Sequence, residues 1–206
     1  MTSRRETIFE LDTPAGLARA HVTGAGKGLA VLGHGAGGGV DAADLRALAA
    51  ALLERDWTVA RVEQPYRVSG RRAPDRAPKL DAAWSAVVEQ LRAKRSGPLL
   101  VAGRSSGARV ACRTAAELGA AAVVCLAFPL HPPGRPDASR ADELGLVGTI
   151  PTLVVQGERD AFGTPAEFPG GVHIAVVEGD HSLRRTTPVG AAVGEWLDAV
   201  FLTRGG

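Results

Sequence analysis

The chain has 206 residues, 45% of them hydrophobic, with 24 lysines and arginines against 22 aspartates and glutamates and a formal charge of +2. That length and apolar content suit one globular domain with a full-sized core and exclude a disordered chain, and the near balance of charge leaves no electrostatic footprint for nucleic acid. Cys112 and Cys125 fall in a predicted helix and a predicted strand, away from the spacing of a metal site or a disulfide framework, and are expected as buried, reduced thiols. The opening residues carry no apolar run of a secretory signal and no window reaches membrane-span length, so a cytoplasmic location is expected.

In chain order, residues 7–11 and 17–22 flank Asp12-Thr13-Pro14-Ala15-Gly16, a turn composition, and predict an antiparallel hairpin. Residues 29–32 form an unbroken apolar run, suited to a strand buried on both faces, that enters the loop Gly33-His34-Gly35-Ala36-Gly37-Gly38-Gly39. Asp41 is a candidate cap for a helix with Leu45, Leu48 and Leu52 on one side. Residues 57–62 predict the next strand, and residues 64–79, with three prolines and several arginines, read as a long loop. Trp84, Val87, Val88 and Leu91 mark a helix that Gly97-Pro98 should stop.

Residues 99–111 are the stretch around which the rest is organised. A short apolar strand flows into Gly103-Arg104-Ser105-Ser106-Gly107, and helical spacing follows to about Gly119. Further strands are predicted at 121–127, before a rigid loop at 129–136 that holds His131, at 152–156, before Gly157-Glu158-Arg159-Asp160, and at 172–177, before Glu178-Gly179-Asp180-His181. The last helix carries Val189, Ala192, Val193, Trp196, Leu197 and Val200 on one stripe. Strands alternating with helices after a hairpin imply a single α/β domain over residues 1–206, its sheet mostly parallel and covered on both faces. Active sites in such sheets lie at the carboxyl ends of the strands, where the loops of His34, Ser105, Asp160 and His181 all fall.

Gly-x-Ser-x-Gly at a strand-to-helix turn needs small residues two before and two after the serine, because strand and helix approach each other there. Gly103 and Gly107 meet that need. The chain order Ser105, Asp160, His181 then assigns a nucleophile, an orienting acid and a base, with the backbone N–H groups of Ser106 and of Ala36, or alternatively Gly37, as the oxyanion hole. Asp180, adjacent to the histidine, is the lesser candidate for the acid, since neighbouring side chains on an extended segment point apart. A plain Gly/Ser turn capping a helix is the bland reading of the same motif. A dinucleotide site is the remote rival: Gly33-His34-Gly35-Ala36-Gly37-Gly38 satisfies G-x-G-x-x-G and Glu63 stands where a ribose ligand could, but Gly39-Val40 separate the glycines from the helix.

The stretches His34-Gly35-Ala36-Gly37, Arg71-Arg72-Ala73-Pro74-Asp75-Arg76, Gly103-Arg104-Ser105-Ser106-Gly107-Ala108-Arg109, His131-Pro132-Pro133-Gly134, Gln156-Gly157-Glu158-Arg159-Asp160 and Gly179-Asp180-His181 span nearly the whole chain. Together they resemble the α/β-hydrolase superfamily, its small capless dienelactone-hydrolase-like members, and within it the group that includes a testis-expressed protein and a subunit of the NSL chromatin complex. The chain departs from that group at Arg104-Ser105-Ser106-Gly107-Ala108, where Lys-Ser-Met-Gly-Gly is usual, and at Ser182, where an acidic residue often follows the histidine. The resemblance implies an α/β-hydrolase fold and a serine hydrolase without metal or cofactor acting on a small-molecule acyl substrate, and the balanced charge and lack of a membrane span lead us to expect no nucleic-acid or membrane partner. A non-catalytic interaction module is the second function it allows.

His34, Tyr66, Arg104 and His131 are candidate substrate contacts, although a histidine between glycines more often bonds its own loop. Arg67, Arg71, Arg72 and Arg76 either favour anionic esters at low salt or stand solvated. A shallow pocket is expected, walled by the loops around residues 64–79 and 129–140.

Overall fold

The computed structural model describes residues 5–93 and 95–201. Residues 1–4, where the leader-free reading falls, lie outside them; among the described residues no helix is long and apolar enough to cross a membrane.

The hairpin forms as β1 (Glu6–Thr13) and β2 (Gly16–Thr23), followed by β3 (Gly28–Gly33), α1 (Ala43–Glu54), β4 (Trp57–Glu63), α2 (Pro65–Val68) and α3 (Ala77–Arg92). Next come β5 (Leu99–Arg104), α4 (Ser106–Thr114), β6 (Ala122–Leu126), α5 (Ala141–Gly145), β7 (Thr152–Gly157), β8 (His173–Val177) and α6 (Thr186–Phe201). The sheet runs β1-β2-β4-β3-β5-β6-β7-β8. β2 is antiparallel to both β1 and β4, and all other pairings are parallel.

Period-two alternation divides each central strand between two cores. Leu99 and Val101 face α3 and α4 together with Trp84, Val110 and Phe128, whereas Leu100 and Ala102 face α1 and α6 with Leu45, Leu48, Leu52, Val189 and Leu197. Each leucine removed from water there stabilises the fold by about 1.5–3 kcal/mol. With both faces covered, chemistry is left to the carboxyl edge.

Several local expectations need correction. Asp41 does not cap α1: Ala42 is the residue before the helix, with no side-chain cap, and Asp41 instead accepts from Arg61 at 2.7 Å. The dinucleotide reading fails at the same place, because α1 starts at Ala43 rather than at the third glycine of the loop. Residues 64–79 are not one long loop. Pro65 and Pro78 stand in the first turns of α2 and α3, where a missing N–H leaves nothing unpaired, so these prolines start helices. α3 ends at Arg92 rather than at Gly97, and Gly97 serves elsewhere: it has φ +101°, and a Cβ there would lie 1.9 Å from the Lys27 carbonyl oxygen. The two cysteines are free and buried, on α4 and β6, with Sγ atoms 3.4 Å apart.

Candidate active site

The turn between β5 and α4 is built by close approach. A Cβ on Gly103 would lie 2.2 Å from the Gly107 carbonyl carbon, and one on Gly107 would lie 2.4 Å from the Gly33 carbonyl oxygen, so both positions admit only glycine. Ser105, between them, has φ +52° and ψ −113°, a strained conformation for a residue with a side chain. Its N–H is anchored on the Leu126 carbonyl at 2.9 Å and its own carbonyl accepts from Ala108 and Arg109. This turn leaves Oγ within hydrogen-bond reach of His181.

Three residues far apart in the chain meet there. Ser105 Oγ lies 2.9 Å from His181 Nε2, and His181 Nδ1 lies 2.8 Å from Asp160 Oδ2 and 3.1 Å from Oδ1. Asp160 is 1% exposed. Its carboxylate also accepts from Phe162 N–H at 2.8 Å and from Gln156 Nε2 at 2.9 Å, which fixes both oxygens before the histidine is considered. Gln156 is itself buried and tied to the Phe128 and Gly163 carbonyls, while its Oε1 has no partner among the described residues. The Phe162 ring stacks on the imidazole at 4.1 Å between centroids. With Nδ1 facing a carboxylate, Nδ1 carries the proton and Nε2 is free to accept one from Ser105.

Asp180 does not reach the imidazole through this network. It is exposed and accepts from Ser182 N–H at 2.8 Å, a bond that holds its carboxyl below the usual carboxylate range and tightens the turn presenting His181.

Ser106 N–H is the first of α4, where no intrahelical acceptor exists, and it has no hydrogen-bond partner among the described residues. The Ala36 and Gly37 N–H groups are equally unpartnered. The loop comes close to Ser105 at Gly35, where a Cβ would lie 3.6 Å from Ser105 Cβ, whereas one on Gly37 would meet nothing within 4 Å.

The four candidate substrate contacts all hydrogen-bond within the scaffold. His34 donates from Nδ1 to the Gly35 carbonyl at 2.8 Å and accepts Gln64 N–H at Nε2, and burial, helped by the nearby Arg67 charge, pushes its pKa down and keeps the ring neutral. Tyr66 donates to the Ala36 carbonyl at 3.0 Å, bracing the loop after β3, and burial pushes its pKa up to about 12. Arg104 turns to the opposite face, onto Asp44. His131 lies between the Pro132 carbonyl at 2.8 Å and Glu167 Oε1 at 3.0 Å. Of the loop arginines, Arg71 is paired with Asp75 through two hydrogen bonds, and Arg67 has a buried Nε with no partner among the described residues.

The Pro132 carbonyl, then Glu167, favour the His131 cation and raise its pKa. A raised folded-state pKa gives stability that is fully present below the unfolded value of about 6.5 and lost as pH rises through the folded one. The melting-temperature gap between wild type and Glu167→Gln is therefore expected to be widest near about pH 5 and to narrow toward about pH 8. A gap independent of pH would show that the pair is not ionic.

The cavity beside Ser106 is small. It measures about 10 Å³, lined by His34, Gln64, Tyr66, Leu80, Trp84 and Val110 among others, which is room for one water-sized group. The expected wall at residues 129–140 does not contribute to it. A cleft of about 570 Å³ opens at the opposite edge, around Thr152 and His173 at the amino ends of β7 and β8, where none of Ser105, Asp160 and His181 stands.

Solved structures share this architecture. The chain superimposes with TM-score 0.78 on a serine hydrolase without lid from Xanthomonas campestris, at 22% identity over 97% of this chain and 96% of that one. It does so with TM-score 0.78 on an alpha-beta serine hydrolase homologue from Coxiella burnetii, at 17% identity over 95% and 99% of the chains. Est1E from Butyrivibrio proteoclasticus gives TM-score 0.75 at 16% identity over 95% and 99%. No curated protein sequence matches the chain significantly. Residues 26–202 match the alpha/beta hydrolase domain family, and the chain, with its eight-stranded mostly parallel sheet and N-terminal antiparallel hairpin, belongs to that family.

Proposed function

We propose that the protein is a serine hydrolase that cleaves a small ester or thioester through an acyl-enzyme, within the capless dienelactone-hydrolase-like branch of its family. The observation that carries this is the unbroken chain from Ser105 Oγ through His181 to a buried, doubly anchored Asp160. Ser105 Oγ attacks the substrate carbonyl while His181 Nε2 takes its proton, and the carbonyl oxygen, now an oxyanion, receives the N–H groups of Ala36 and Ser106. Collapse of the tetrahedral intermediate expels the alcohol or thiol with the proton from His181. Water then repeats the attack on the acyl-enzyme with His181 again as base, returning free Ser105 and the carboxylic acid.

The test is labelling of the wild-type protein by a fluorophosphonate, whose phosphorus is attacked as a carbonyl is. Ester hydrolysis should persist in EDTA, since no step of this mechanism uses a metal. A protein inert to several such probes and to short-chain esters would instead support a non-catalytic use of the fold.

A further inference from the structure

Behind Ser105 lies a charged pair that the reaction as written does not use. Arg104 ends β5, and the alternation of that strand turns its side chain to the α1 side of the sheet. There Nε donates to Asp44 Oδ2 at 2.7 Å, and Nη2 donates to the backbone carbonyl of His181 at 2.9 Å. Asp44, in the first turn of α1, is 1% exposed, and its other oxygen accepts Leu45 N–H at 2.8 Å. The guanidinium also forms the floor under Gly35, where a Cβ would lie 2.9 Å from Nη1. One planar group thus touches α1, the histidine loop and the oxyanion loop.

Stability alone is a poor reason for such a pair, because taking two charges out of water offsets most of their attraction and an apolar pair of the same volume fills the space as well. Burial indeed pushes the Asp44 carboxyl above the usual carboxylate range, with Arg104 and the Leu45 N–H pulling back against it. What a guanidinium adds is direction: its donors are fixed in one plane, so anchoring Nε on Asp44 determines where Nη2 points. It points at the main chain of the residue whose placement decides the chemistry. His181 follows β8, an edge strand with one neighbour, and within the described residues its carbonyl has no other donor than Arg104.

We propose that the Arg104–Asp44 pair is the positioning element of this site, holding the His181 main chain and the Gly35 loop in register with Ser105. The inference rests on the serine-hydrolase reading for its kinetic consequences, but not for its geometric ones.

Single variants that strand a buried charge risk unfolding, so the informative protein is Arg104→Met/Asp44→Leu, which removes both charges and restores apolar contact. Its expected behaviour is a melting temperature close to wild type, with kcat for a short-chain ester and the fluorophosphonate labelling rate lower by about ten- to a hundredfold, the scale of a displaced catalytic group. KM should stay within about twofold, since substrate binding is not what the pair serves. The downfield proton resonance of the His181–Asp160 hydrogen bond should broaden or vanish. Arg104→Lys, which keeps the charge but not the fixed plane of donors, should melt near wild type yet recover only part of the rate and the resonance. A folded double variant with wild-type kcat and an intact resonance overturns the proposal. So does a rate loss fully accounted for by the unfolded fraction at the assay temperature, which would make the pair structural only. If the wild type neither hydrolyses nor labels, the hydrolase reading falls, and the resonance in the two variants still decides whether the pair holds His181.

Discussion

Ser105→Ala is expected to leave a folded protein that takes up no fluorophosphonate and hydrolyses no ester above background, a loss of about six powers of ten in kcat. The fold should survive because, among the described residues, the side chain of Ser105 hydrogen-bonds only to His181, and alanine fits a turn whose walls are Gly103, Gly107 and main chain. The backbone strain at φ +52° remains for either residue. Ser106→Ala should keep the label, since that position contributes a main-chain N–H, which alanine also has. Probe labelling that survived Ser105→Ala would move the nucleophile elsewhere and undo the mechanism.

Asp160→Asn is expected to cut kcat by about three to four powers of ten in a protein that still melts cooperatively. The carboxylate oxygens are addressed by three donors, Phe162 N–H, Gln156 Nε2 and His181 Nδ1. An amide has one acceptor oxygen, so its NH₂ must face a donor or turn the imidazole to the wrong tautomer, and either outcome removes the base from Ser105. Asp180→Asn should cost about tenfold or less, because that exposed carboxylate touches the turn through Ser182 N–H and not the imidazole. Matched thermal melts separate catalytic loss from misfolding. The reverse order of effects in two folded variants would transfer the role of the acid to Asp180.

The elements with strong local patterns were legible. The unbroken runs at residues 29–32 and 99–102 read as a strand buried on both faces and a short apolar strand and are buried strands in β3 and β5, and the stripe from Val189 to Val200 reads as the helix it is. Boundaries were less so. Pro65 and Pro78 look like loop markers and act as helix starters, a difference that depends on position within a turn and not on composition. α5 is five residues long, too short to show a periodicity.

What the sequence by itself determined is whatever short-range sterics and alternation impose: the order of strands and helices, the narrow turn that Gly103 and Gly107 permit, and the chain order of a serine, an acid and a histidine at strand ends. Which polar side chains have work there was decided only by the tertiary structure. His34, Tyr66 and His131 were open in the sequence between touching substrate and bonding the scaffold, and the structure gives each a scaffold hydrogen bond, while Gln156, quoted in a motif without a role, clamps the buried carboxylate. The physical reason is range. Ser105 and His181 are 76 residues apart, Arg104 and the His181 carbonyl 77, and Arg104 and Asp44 60. A hydrogen bond across such a span leaves no periodic trace in the chain and exists only once the sheet has brought the ends of β5, β7 and β8 to one edge.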